Sequence, residues 1–363
     1  MNILLTTTHV NTGGITSYLL TLSRGLVLKG HGVWLASSGG NQEADFAACG
    51  VRCLTENIRT KSELNPKIYL TAGKLRLVVR EQNISVVHAH TRVTQVMAAC
   101  LKKMTGTPFV STCHGFFKPR LFRRLFPLWG DRVIAISPQV REHLAKDFRV
   151  AQDRIALVPN GIDVDSFVLP EGRRREARAA WGLQDNQVIG IIARLSDVKG
   201  HDVLIKAMPA VLKKVPAAVL MIVGVGREEE VLRSRVKALG LEQKVRFHPS
   251  VNRTREFLTG FDVFVMPSLQ EGLGLSVMEA QAAGLAVVAS RVGGLPSLIE
   301  DGRTGRLVPP GDEAALAEAI AGLLQDPARA AAFGSAAREF IRKNFSAEQM
   351  VEKTLDVYRS VDG

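Results

Sequence analysis

The stretch QVIGIIARLSDVKGHDVLIKAMPAVLKK, residues 187–214, decides the fold. Its opening, 187–193, is a short apolar run of the kind that forms a strand buried on both faces. A polar loop, Arg194-Leu195-Ser196-Asp197-Val198-Lys199-Gly200, follows, and helical spacing of apolar residues then runs over about 201–214. Strand, loop and helix in that order are half of a βαβ unit, the building block of a parallel sheet with helical crossovers.

The same alternation extends in both directions. Downstream, strands read at 217–224, 244–248, 262–266 and 285–290, with helices at about 227–239, 254–260, 275–284 and 313–325. Upstream, residues 2–7 read as a strand, and after His9-Val10-Asn11-Thr12-Gly13-Gly14 the residues Ile15, Leu19, Leu22 and Leu26 recur at helical spacing until Gly30. Strands at 33–37, 84–88, 108–112 and 133–136 and helices at 93–104 and 138–147 continue the series. Between the two runs lie the turn cluster Pro159-Asn160-Gly161-Ile162-Asp163 and the arginine-rich stretch from Glu171 to Arg178, so a boundary belongs near 160–185. A chain of 363 residues also exceeds the size at which one core usually keeps growing, which favours two α/β domains.

Composition narrows the class. Hydrophobic residues at 46 % and charged residues at 23 % describe a folded protein rather than a disordered one. Cys49, Cys53, Cys100 and Cys113 include no C-x-x-C pair and read as free thiols of a reducing compartment. The first residues lack a basic flank, and no run approaches the ~20 apolar residues of a spanning helix, so neither a signal peptide nor a membrane span is expected. Lys and Arg number 47 against 35 Asp and Glu, an excess that favours an anionic partner.

Two elements carry chemistry. Arg194 and Lys199 follow a parallel strand at its carboxyl end, where open α/β sheets bind ligands, and a guanidinium fork with an ammonium suits a diphosphate. Taken alone, they would be two solvated loop cations. The second element is Glu271-Gly272-Leu273-Gly274-Leu275, which opens a helix carrying Glu279. Its glycines let a ligand approach the backbone, and unpaired amides at a helix start make an anion site. If a nucleotide sits at that anion site, Glu279 on the first turns of the helix would be within reach of its ribose hydroxyls, and Glu271 would lie on the side where an attached sugar projects. The plain alternatives are a carboxylate facing a helix dipole and an exposed loop carboxylate, but both elements sit on strand ends of one domain.

In combination, several motifs resemble the retaining glycosyltransferases of family 4. They are Gly190-Ile191-Ile192-Ala193-Arg194-Leu195 with Lys199-Gly200, Val158-Pro159-Asn160-Gly161-Ile162-Asp163 with Phe167, the Glu271-to-Glu279 spacing, and Gly293-Gly294-Leu295-Pro296 with Asp301-Gly302 and Gly305. The resemblance implies a GT-B fold of two facing Rossmann-like domains with a cleft between them. The acceptor-side domain would span 1–165 and the nucleotide-sugar domain 166–344, with a last helix at about 345–363 packing back on the first. It implies metal-independent transfer with retention and no cofactor beyond the donor, a nucleotide-diphosphate sugar. Arg194 and Lys199 would bind the diphosphate, Glu279 the ribose and Glu271 the sugar. His114 would approach that sugar, and Gly13 and Gly14 would line the cleft. Ile15-Thr16 follows those glycines, so no acidic residue acts there, and Pro249 replaces a glycine frequent in the family near the base.

His88-Ala89-His90 suggests a metal pair, but no nearby Cys or carboxylate completes a ligand set, and no metal is expected. The segment from Phe116 to Trp129 mixes four cations, including Arg120, Arg123 and Arg124, with large apolar residues such as Phe116 and Phe117. This suits an anionic membrane interface, or equally an amphipathic helix packed in the domain. The expected activity is hexosyl transfer to a glycan or lipid-linked hydroxyl in bacterial cell-envelope polysaccharide or lipopolysaccharide synthesis. The expected location is the cytoplasm, where the basic segment would meet the inner membrane face. A nucleotide-sugar 2-epimerase on the same fold and a non-catalytic anion or nucleic-acid binder are the rivals. The latter lacks any nucleic-acid motif.

Overall fold

Strand β1 (Asn2–Thr6) shows why these sheets form. Ile3 and Leu5 enter the hydrophobic cluster on one face and Leu4 the cluster on the other, all fully buried. A strand covered on both sides reads as a continuous apolar run rather than an alternation. In the computed structural model, which describes residues 1–60, 62–119, 123, 126–168, 170, 172–251 and 253–362, the chain divides into two units, 1–161 with 347–363, and 162–346.

In the first unit, β1 is joined by β2 (Gly32–Ser37), β3 (Arg52–Thr55), β4 (Val86–Ala89), β5 (Phe109–Cys113), β6 (Arg132–Ala135) and β7 (Ile155–Leu157). They form a parallel sheet of order β3-β2-β1-β4-β5-β6-β7. Helices α1 (Gly14–Leu28), α2 (Glu43–Ala48), α3 (Pro66–Glu81), α4 (Arg92–Thr105) and α5 (Pro138–Asp147) make the crossovers. Local chemistry sets two starts: Thr91 and Thr94 form a capping box on α4, and Ser137 caps α5 ahead of Pro138.

The second unit repeats the plan with α6 (Arg173–Trp181), β8 (Gln187–Ile192), α7 (His201–Lys214), β9 (Ala218–Val223), α8 (Glu229–Ala238) and β10 (Val245–His248). It continues with α9 (Thr254–Leu258), β11 (Val263–Met266), α10 (Leu275–Ala282), β12 (Ala286–Ser290), β13 (Arg306–Val308), α11 (Glu313–Gln325) and α12 (Pro327–Asn344). Its parallel sheet has the order β10-β9-β8-β11-β12-β13. The last helix, α13 (Ala347–Arg359), lies in the first unit against α1, where Gly25 leaves the space that Val351 fills.

The arginine-rich stretch, which helps place the domain boundary in the sequence, is largely helix α6. It has no buried residue, and tertiary contacts hold it: Arg174 and Arg178 both pair with Asp262, and Trp181 stacks on Phe257 with ring centroids 5.3 Å apart. No apolar stripe announces a helix of this kind.

Candidate functional site

In the second unit the strand order reverses at β8, which pairs with β9 on one side and β11 on the other. At such a switch point the loops leaving the two central strands diverge and open a crevice at their carboxyl ends. Those loops carry Arg194 and Lys199 after β8 and Glu271 to Leu275 after β11. The amides of Leu269 and Gln270 donate to the Val198 carbonyl at 2.8 and 3.3 Å, which ties one loop to the other. Gly200 is required where they meet: its φ is +72°, and a Cβ there would lie 1.8 Å from the Pro267 carbonyl oxygen.

The Arg194 side chain is exposed and makes no hydrogen bond or ion pair with the described residues, while the next amide, Leu195, is fixed on the Val225 carbonyl at 3.0 Å. Lys199 Nζ lies 2.5 Å from Glu271 Oε2, and the Ser268 hydroxyl donates to the same oxygen at 3.3 Å. Helix α10 starts at Leu275 without a side-chain cap, and among the described residues the amides of Leu273, Gly274 and Leu275 find no acceptor. Orphan donors at a helix start, beside two cations, make an anion cradle. Glu271 is held by its backbone, whose carbonyl accepts from the Gly294 amide at 3.1 Å.

Glu279 is 9 % exposed on α10. Burial pushes its pKa up from 4.5 to about 7, and a hydrogen bond from Thr254 pulls the other way. A carboxylate merely serving the helix dipole would sit in solvent, so Glu279 is placed at a cost to the fold. His201, the first residue of α7, is also buried, has no partner for either ring nitrogen among the described residues, and falls to about 4 through desolvation and then the Lys199 charge. Ser268, Thr254 and His201 were not singled out from sequence. A histidine directly after Lys199-Gly200, at the head of a helix, was the one available signal.

The first unit has its own switch point, where β1 pairs with β2 and β4. His90, following β4, is anchored by its amide on the Thr6 carbonyl at 3.0 Å, and its Nδ1 meets Nε2 of His114 at 3.2 Å. The Tyr18 ring packs edge-on against His114, with centroids 5.0 Å apart. Desolvation brings His88 and His114 to about 3 and takes His90 well below the usual imidazole range, so all three are neutral at physiological pH. His88 spends both ring nitrogens on protein, Nδ1 on the Tyr358 hydroxyl at 2.6 Å and Nε2 on the Thr112 hydroxyl at 2.8 Å. It is a satisfied core histidine, and the described residues contain no cluster of three potential metal ligands. Added side-chain atoms at Gly13 and Gly14 would meet essentially open space, so packing does not demand glycine there.

Of the basic aromatic segment, Arg120, Phe122 and Arg124 lie outside the described residues. Phe117 and Phe126 are exposed, with the Arg123 guanidinium 4.7 Å from the Phe117 ring centroid. Trp129 is only 3 % exposed and packs against Phe148, so it belongs to the core and is not available for membrane insertion. Among the described residues no helix is long and apolar enough to cross a membrane.

Two family models match the chain: glycosyltransferase family 4 over residues 12–166 and glycosyl transferases group 1 over 173–340. The D-inositol 3-phosphate glycosyltransferase 2 of Catenulispora acidiphila is 30 % identical over 96 % of this chain and 91 % of its own. The alpha-maltose-1-phosphate synthase of Mycolicibacterium smegmatis is 30 % identical over 82 % of this chain and 84 % of its own. Among solved structures, HepE of Anabaena in complex with UDP and glucose superposes with a TM-score of 0.88 at 20 % identity, covering 99 % of this chain and 100 % of that one. The parallel sheets, the crossover helices and these likenesses agree: the chain has the GT-B fold and belongs to the group 1, family 4 glycosyltransferases.

Proposed function

We propose that the protein moves a hexose from a nucleotide-diphosphate sugar to a hydroxyl of a glycan or lipid-linked acceptor, with retention at the anomeric carbon and without a metal ion. The observation that carries this reading is the convergence of the loops bearing Arg194, Lys199 and three orphan amides on the second unit's switch point, with Glu271 paired to Lys199 and Glu279 further along helix α10. Fixed donors aimed at a leaving diphosphate stabilise the charge that develops as the glycosidic bond breaks, and such electrostatic terms are usually the largest in catalysis. These groups supply the positive charge a divalent ion would otherwise bring. Glu279 accepts from ribose hydroxyls, Glu271 from the sugar, and neutral His114 serves the reacting sugar as a hydrogen-bonding group. A leaving-phosphate oxygen takes the acceptor proton on the face from which the diphosphate departs.

A UDP complex of HepE supports a nucleoside diphosphate carrier, and relatives named for inositol 3-phosphate and phosphatidylinositol mannoside support a phosphate-bearing or lipid-linked acceptor. We place the activity in cell-envelope polysaccharide or lipopolysaccharide synthesis. Exposed Phe117, with the Arg123 guanidinium over its ring, and exposed Phe126 support peripheral attachment to the cytoplasmic membrane face. The test is a panel of nucleotide sugars screened by thermal shift, since a ligand of the native state alone raises stability. The stabilising donor is then offered with lipid and glycan acceptors in the presence of EDTA. Transfer that stops with EDTA and resumes with a divalent ion overturns the metal-independent step. An epimer formed from donor alone overturns the transferase reading.

A further inference from the structure

The two cations of the cradle are not equivalent. Arg194 is unpaired among the described residues, whereas Lys199 is engaged by Glu271 at 2.5 Å, with the two side chains 22 % and 11 % exposed. The carboxylate cannot withdraw far, because its backbone is pinned from behind. Gly293, at φ +51°, packs so closely that a Cβ would stand 1.8 Å from the Glu271 carbonyl oxygen, and the Gly294 amide donates to that oxygen. The Ser268 hydroxyl holds the carboxylate from the side. Lys199, on a flexible four-carbon stem, is the partner that can turn.

We infer that Glu271 is an internal competitor for Lys199, which makes the site favour the intact nucleotide sugar over the bare nucleoside diphosphate. The inference rests on reading this crevice as the donor site. A diphosphate that enters must take the ammonium from Glu271, and it leaves a poorly solvated carboxylate near its own negative charge. When a sugar is attached, its hydroxyls donate to the freed carboxylate and offset that loss. When the sugar has gone, nothing replaces Lys199, and like charges in a half-buried site repel. The carboxylate then reclaims the ammonium, and the spent nucleoside diphosphate is weakened relative to the donor. Retaining the sugar's partner and expelling the leaving group thus fall to the same side chain.

The test titrates the full chain calorimetrically with UDP, GDP, UDP-glucose and GDP-mannose, in the parent, Glu271→Gln, Lys199→Met and the double variant. For whichever pair the parent binds, Glu271→Gln should tighten the bare diphosphate about tenfold, the scale of removing one competing ion pair from a partly buried site. It should narrow the preference for the nucleotide sugar by at least as much. With Lys199→Met already in place, the Glu271 substitution should have a much smaller effect. Glu271→Ser, neutral and shorter, should tighten the bare diphosphate in the same direction, so that a packing defect peculiar to glutamine cannot decide the outcome. Unchanged or weaker diphosphate binding in both Glu271 variants, with parent binding intact, overturns the inference alone. Diphosphate binding that is indifferent to Arg194→Ala overturns the donor-site reading and the inference with it.

Discussion

Replacing Glu279 by glutamine should make the ligand-free protein more stable at alkaline pH while making it a poorer nucleotide binder. The carboxyl releases its proton near 4.5 when unfolded and near 7 in the buried site. Between those values the native state holds a proton that the unfolded state lacks. Raising the pH through this window therefore removes stability, and the loss is complete above about pH 7. At 1.36 kcal/mol for each tenfold change, the rise amounts to roughly 3 kcal/mol. Glutamine keeps the shape and an acceptor oxygen for Thr254 but has no proton to lose. The parent should thus lose stability between about pH 5 and pH 8 while Glu279→Gln stays flat by comparison. Its advantage at pH 8 should be about 6–12 °C in unfolding temperature for a unit of this size. Differential scanning calorimetry of both proteins at pH 5, 6.5 and 8 without ligand reads this directly. Ribose hydroxyls donate better to a carboxylate than to a carboxylic acid. The parent's nucleotide affinity should therefore fall as the pH drops through 7, and the variant's should be weaker and insensitive. If glutamine stabilises equally at pH 5 and pH 8, or not at all, the buried-carboxylate argument fails.

Three further outcomes follow from the geometry. On the proposed function, Arg194→Ala should lower kcat by about 10²–10³ with the fold unchanged, since an exposed cation proposed to stabilise the leaving diphosphate is lost; steady-state kinetics with matched unfolding curves check it. Gly200→Ala forces a side chain to 1.8 Å from the Pro267 carbonyl at φ +72°, so the loops must separate. A stability loss of at least ~2 kcal/mol in urea unfolding, together with weaker donor binding, is expected. Replacing Phe117 and Phe126 by Ser should reduce sedimentation with anionic vesicles and spare binding of the free nucleotide sugar; equal partitioning of variant and parent would remove this surface from any membrane contact.

The central strands were legible because burial on both faces turns them into unbroken apolar runs. The strands left unread, β3, β7 and β13, are short; β3 and β7 bound the first sheet and β13 bounds the second. An edge strand needs fewer apolar residues, and Arg52-Cys53-Leu54-Thr55 has none fully buried. Helix α3 escaped for a related reason. It exposes Leu70 and Leu77 at 68 % and 52 % while burying Ile68, Ala72, Leu75 and Val79, so apolar residues occur all round and the period is blurred.

The candidate site divides along a different line. Whatever depends on a residue's place at a strand end or a helix start was readable, because those places are set by local sequence. Arg194, Lys199 and the turn from Glu271 to Leu275 belong to this group. Whatever depends on two loops meeting was not. Lys199 and Glu271 are 72 positions apart, and nothing in either loop states that their side chains touch. The same holds for Thr254 beside Glu279 and for the depth at which Glu279 lies. Burial is a property of everything packed around a residue, and it converts an ordinary carboxylate into one that titrates near neutrality. Strand ends and helix starts can therefore be located from local sequence, but which side chains pair across them, and how deeply each is buried, is set by contacts that exist only once the sheet has closed.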